Sequence, residues 1–134
     1  MNGLGIVTHS LADTGANGYL FLNRPLAFKL SNALHTPILP LPHSVSIRGF
    51  KGKTQSVVSH YIRLHLEIDG RKVYNCPFII IGLGSQDCII GLKWMARFRV
   101  LLDPLYHRFI WPSEYPATHT FSRNIILPYF RKKT

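Results

Sequence analysis

Asp13-Thr14-Gly15-Ala16-Asn17-Gly18 divides two apolar stretches, Ile6 to Ala12 before it and Tyr19-Leu20-Phe21-Leu22 after it. Two glycines and an asparagine in six positions make a tight turn, since these residues enter backbone regions closed to most side chains. The flanking stretches are short and apolar, which predicts a strand running into a loop and a strand leaving it. Asn23-Arg24-Pro25 then starts a helix, with Asn at the cap and Pro in the first turn. Leu26, Leu30 and Leu34 recur every four residues as its apolar stripe, and the prolines at 37, 40 and 42 end it and extend the chain.

Further along, Tyr61-Ile62-Arg63-Leu64-His65-Leu66-Glu67-Ile68 alternates without a miss. Ile62, Leu64, Leu66 and Ile68 share one face, and Tyr61, Arg63, His65 and Glu67 share the other. Asp69-Gly70 is a hairpin turn signal, with Lys72 to Ile81 as the returning strand. Cys88-Ile89-Ile90-Gly91 is a brief strand, Lys93 to Arg97 a short helix, and Val100-Leu101-Leu102 with Phe109-Ile110-Trp111 a closing hairpin. Strands recurring every ten or so residues predict a mostly all-β chain, a small barrel or sandwich.

Composition narrows the chemistry. At 134 residues the chain fits one domain, and 46% hydrophobic residues are enough for a core. No apolar run approaches the ~18 residues of a membrane span. Two cysteines, Cys76 and Cys88, are too few for a disulfide framework or a four-ligand zinc site, so a reduced, intracellular setting is expected. Only six acids, Asp13, Glu67, Asp69, Asp87, Asp103 and Glu114, are available for carboxylate chemistry.

Other motifs fail on inspection. Gly52-Lys53-Thr54 lacks the glycine five positions earlier, where Ile47 stands, and runs into a strand rather than a helix. Gly82-Leu83-Gly84 has Asp87 where a dinucleotide loop needs its third glycine. His60 and His65 lie five apart on a strand and face opposite sides, so they cannot share a metal. There is no Gly-x-Ser-x-Gly elbow.

What survives is an ordered series: Asp13-Thr14-Gly15-Ala16, then Val45-Ser46-Ile47-Arg48-Gly49-Phe50-Lys51-Gly52, then the long hairpin, then Ile89-Ile90-Gly91 before a short helix. This series resembles the retropepsin-like aspartic proteases, most closely those of gypsy-type LTR retrotransposons, from about Leu4 to Trp111. The resemblance implies a small closed acid-protease barrel with a flap hairpin and one or two short helices. The protease domain would span 1–111, and 112–134, with Arg123, Arg131, Lys132 and Lys133, would be a basic tail or linker.

It further implies that Asp13 is the catalytic acid/base, supported by Thr14, Gly15 and Ala16. Gly49, Phe50 and Gly52 would form the flap and, with Asn17, bind substrate. Ile89, Ile90 and Gly91 would pack beneath the loop. Two chains would meet as a homodimer, each giving one Asp13, to cut an extended peptide or polyprotein, the retrotransposon's own, in the cytoplasm or a retrotransposon particle.

The physics agrees with such a pairing. A lone exposed aspartate is ionised near neutrality and is a poor acid. Two brought together cannot both stay ionised, so the pair holds one proton and acts as base and acid at once. Neither cofactor nor metal is then required. Apolar Ile47, Phe50 and Ile90 near the site would favour apolar residues beside the cut bond.

Viral members often carry an acid where this chain has Asn17 and an Arg where it has Leu92, an ion pair that braces the dimer. Both are neutral here, so an inactive remnant or a binding domain of the same fold is the alternative. A basic nucleic-acid-binding barrel is a third reading, since the net charge is +10. The basic residues are spread along the chain outside the tail, which makes contact with nucleic acid incidental.

Overall fold

The computed structural model describes residues 10–13, 15–16, 18–48, 55–103, 105–106, 108–113 and 118–121. In chain order these form β1 (Ser10–Asp13), β2 (Leu20–Asn23), α1 (Arg24–Leu34), β3 (Ile38–Arg48), β4 (Gln55–Ile68) and β5 (Arg71–Ile81). They continue with β6 (Cys88–Gly91), α2 (Leu92–Arg97), β7 (Leu101–Asp103), β8 (Arg108–Ile110) and β9 (Thr118–Thr120). The architecture is mostly β with two short helices, as the strand spacing predicts.

One mixed sheet runs β1-β6-β2-β5-β4-β3, and β7-β8 form a separate antiparallel pair. The backbone of the sheet is the β4–β5 hairpin. Its turn residues Asp69 and Gly70 both have positive φ, 51° and 73°, the geometry that matches the twist of two paired strands. Ile62 and Leu64 are buried on the predicted face, with Leu66 and Ile68 packed beside them.

In β5 the run Cys76 to Ile81 is buried on both faces. Phe78 and Ile80 join the main core, and Ile79 and Ile81 join a second cluster with Ala16, Phe21, Leu41, Val58, Leu83 and Ile89. A strand covered on both sides loses the alternation seen in β4, which is why Phe78 to Ile81 reads as a continuous apolar run.

α1 begins and ends as its sequence predicts, with Ala27 and Leu30 buried and Leu26 and Leu34 packed against the core. Asn23 holds the cap position in extended geometry, but its side chain does not cap. Its Oδ1 instead accepts from the Leu83 N–H at 2.9 Å, and its Nδ2 donates to the Gly84 carbonyl at 3.3 Å. The residue ties the loop after β5 to the start of the helix.

The sheet is not closed into a barrel among the described residues: β1 pairs only with β6, and β3 only with β4. Pro40 and Pro42 lie in β3 beside an irregularity between Pro40 and Val45, and proline cannot donate to a further strand. Past residue 111 the described residues include a further strand. β9 pairs in parallel with Lys72–Tyr74 of β5, and Phe121 is fully buried. β4 lines one edge of β5, so β9 and β2 share the other, and Pro77, with no N–H to give, falls between them.

Candidate active site

Asp13 is the last residue of β1, where the strand runs parallel to β6 with Asp13 opposite Gly91. β6 is inserted between β1 and β2 and runs antiparallel to β2. The loop joining β1 to β2 must therefore pass over the end of β6. Its backbone closes in steps: the Ala16 N–H donates to the Asp13 carbonyl and the Gly18 N–H to the Ala16 carbonyl, each at 3.0 Å.

The half-buried Asp13 side chain accepts a bond at Oδ1 from the Gly15 N–H, 2.9 Å away. A β-carbon at Gly15 would sit 3.2 Å from that same oxygen, so glycine leaves the carboxylate room. A backbone donor fixes the orientation of one oxygen while the group stays at the surface, which suits a carboxylate that exchanges protons.

The loop is held from below by α2. The Leu92 and Lys93 N–H groups, which have no partner within the helix, donate to the Ala16 and Gly18 carbonyls, each at 2.9 Å. The Gly91 N–H donates to the Tyr19 carbonyl at 2.7 Å. Gly91 is buried so tightly that a β-carbon there would lie 2.3 Å from the Gly18 oxygen and 2.9 Å from the Ala16 oxygen. Three consecutive amides thus grip the Asp13 loop, and only glycine permits the approach.

Ile89 shares the second cluster with Ala16 of the loop. Ile90 faces the other way, into the main core beside Trp94. At 2% exposure it cannot line a substrate pocket, which corrects that part of the reading. Leu92 is exposed at the first position of α2. Thr14, Asn17, Gly49, Phe50 and Gly52 lie outside the described residues; the backbone of Ile47 pairs with Ser56 where β3 meets β4. Two concavities, of about 300 and 430 Å³, are lined by residues of α1, β3, β4 and β5, and neither is lined by Asp13.

Sequence reasoning missed Asn23 as a loop anchor and the strand at Thr118–Thr120. The second had a signal: in Thr118-His119-Thr120-Phe121, small polar β-formers alternate with larger rings.

The fold is similar to the crystal structure of the retroviral protease-like domain of Ddi1 from Leishmania major. The TM-score is 0.54 at 18% sequence identity, over 81% of this chain and 81% of that one. No family model and no curated protein sequence matches the chain. The fold is retropepsin-like.

Proposed function

We propose that the chain is one half of an aspartic endopeptidase, completed by a second copy that brings its own Asp13 across a twofold axis. The observation that carries this reading is the fixed, surface-facing Asp13 carboxylate on a loop gripped by Gly91, Leu92 and Lys93. A fold of the retropepsin type supports it. In the paired site the two carboxylates share one proton. The ionised member removes a proton from a bound water as that water attacks the scissile carbonyl, and the protonated member hydrogen-bonds the carbonyl oxygen. The Gly15 N–H keeps Oδ1 oriented through the exchange.

The substrate is an extended polypeptide, bound by main-chain pairing and read by alternate side-chain pockets. A polyprotein containing the chain itself, such as a retrotransposon's, fits that class. Leu92 favours a second reading: it is exposed and neutral where an arginine would brace the dimer, so the fold would serve as a monomeric binding domain.

The test uses an extended peptide with apolar residues at the cut and a statine-type mimic of the tetrahedral intermediate. Asp13→Asn keeps an oxygen for the Gly15 N–H, so the fold persists while proton exchange is lost. Turnover should fall by roughly 10²–10⁴-fold, and the mimic should inhibit the unaltered chain. Cleavage surviving in Asp13→Asn refutes the proposal; a folded monomer without cleavage supports the second reading.

A further inference from the structure

β9 and Phe121 lie outside the site, yet they touch both pieces that hold it. The Phe121 N–H donates to the Tyr74 carbonyl at 3.0 Å, and its carbonyl accepts from Asn75 Nδ2 at 2.9 Å. Its buried ring meets Tyr19 edge-on at 6.3 Å and Phe98 at 6.0 Å between centroids, and the Arg97 guanidinium lies over it at 4.7 Å. Tyr19 supplies the carbonyl that takes the Gly91 N–H. Arg97 and Phe98 close α2, whose first two amides hold Ala16 and Gly18. One buried ring therefore braces the exit of the Asp13 loop and the far end of the helix that grips it.

His119 sits beside this contact. It is paired with the core residue Val73, so it faces inward while Thr118 and Thr120 alternate outward. Its ring is edge-on to Phe98 and to Phe121, each at 5.2 Å, and its Nε2 is 3.4 Å from Arg97 Nη2. Arg97 is the charged group facing it from α2. On β5, Lys72 and Tyr74 flank Val73 and turn to the opposite face, where Tyr74 meets His65 of β4. A neutral imidazole can accept from Arg97; a protonated one has no lone pair to offer and sets a second cation against the first.

We propose that Thr118–Phe121 is a positioning strap for the Asp13 loop, locked by neutral His119 and loosened by acid. Burial, and then the Arg97 charge, lower the His119 pKa from the ordinary imidazole value of 6.5. The folded strap thus binds its proton less readily than the free one. Its contribution is complete above that ordinary value and is lost as pH falls through the window below it. The inference concerns the order of the loop and stands apart from hydrolysis; if the protease reading holds as well, the strap limits activity on the acid side.

The test is amide hydrogen exchange, corrected for intrinsic rates, at about pH 7.5 and about pH 5 in the full chain and in His119→Gln. Acid should lower protection of the Phe121, Leu92 and Lys93 amides together, by about threefold or more, in the unaltered chain and by less than about twofold in His119→Gln. Equal losses in both proteins overturn the lock, and loss at Phe121 without loss at Leu92 and Lys93 overturns the coupling. Phe121→Leu keeps the site apolar and removes the ring contacts. It should lower Leu92 and Lys93 protection already at the higher pH, and unchanged protection there also overturns the coupling.

Discussion

Gly91→Ala tests the idea that the Asp13 loop is held by close backbone approach. The added methyl would lie 2.3 Å from the Gly18 carbonyl oxygen and 2.9 Å from that of Ala16. Both are backbone atoms of the loop, so no side chain can swing away. Relief requires the loop and β6 to part by about 0.7 Å or more, because real carbon–oxygen contacts stop near 3 Å. That movement stretches the Leu92 and Lys93 bonds to the same two carbonyls, now 2.9 Å each. Overpacking of this kind costs about 1–3 kcal/mol, and weakening two hydrogen bonds adds about 1 kcal/mol each. Urea denaturation should show the midpoint lowered by about 1–2 M. Gly82→Ala is the control: its methyl would meet only the tip of Arg24 at 3.6 Å, and it should stay within about 0.5 kcal/mol of the unaltered chain. If the chain is a protease, a loop displaced by this much should also cost about 10²-fold in kcat/KM. A Gly91→Ala midpoint equal to that of Gly82→Ala would refute the reasoning, since the approach would then not constrain the loop.

Gly70→Ala meets nothing within 4 Å, yet its φ of +73° is strained for any β-carbon. Thermal unfolding should show a loss of about 1 kcal/mol from backbone strain alone. Asn23→Ala removes the acceptor for the Leu83 N–H and the donor to the Gly84 carbonyl. It should cost about 1–2 kcal/mol in denaturation and speed exchange of the Leu83 amide. Burial raises the pKa of both thiols, carrying Cys88 to about 11 and Cys76 higher still. A disulfide reagent at about pH 8 should therefore leave both unmodified until the chain unfolds. Because the folded thiols hold their protons more tightly than unfolded ones, stability should decline as pH rises past the ordinary thiol value of 9.0.

The elements that were legible in sequence are those whose cause is local. The β4–β5 hairpin follows from strict alternation and a turn that needs two positive φ angles, and α1 follows from a four-residue stripe between Pro25 and Pro37. The strand order was not legible, because strand spacing counts strands but does not say which edges meet. β9 was not legible because its partner, Lys72–Tyr74, is some 45 residues away. At the site, Asp13, Gly15 and Gly91 were visible as a motif. The amides of Leu92 and Lys93 were not, because a backbone donor carries no signature in the residue that bears it. Asn23 shows the intermediate case, a correct position with a different partner.

Four of the described arginines share one kind of placement. Arg63 lies over Tyr61 at 5.6 Å, Arg71 over Trp111 at 4.5 Å, Arg97 over Phe121 at 4.7 Å and Arg108 over Tyr106 at 5.2 Å. These pairs are spread over β4, β5, α2 and β8, and each places a flat guanidinium against an aromatic face, a contact worth about 0.5–1 kcal/mol where exposed. With only six acids in the chain, arginine can do little of its work through carboxylates; Arg108 with Asp103, at 3.4 Å, is one such pair. Covering rings is the alternative that the composition leaves open, and it disperses the charge. A phosphate backbone is gripped by cations aligned along one groove. Among the described residues, these four guanidinium groups stand singly over rings on four elements and do not line one groove.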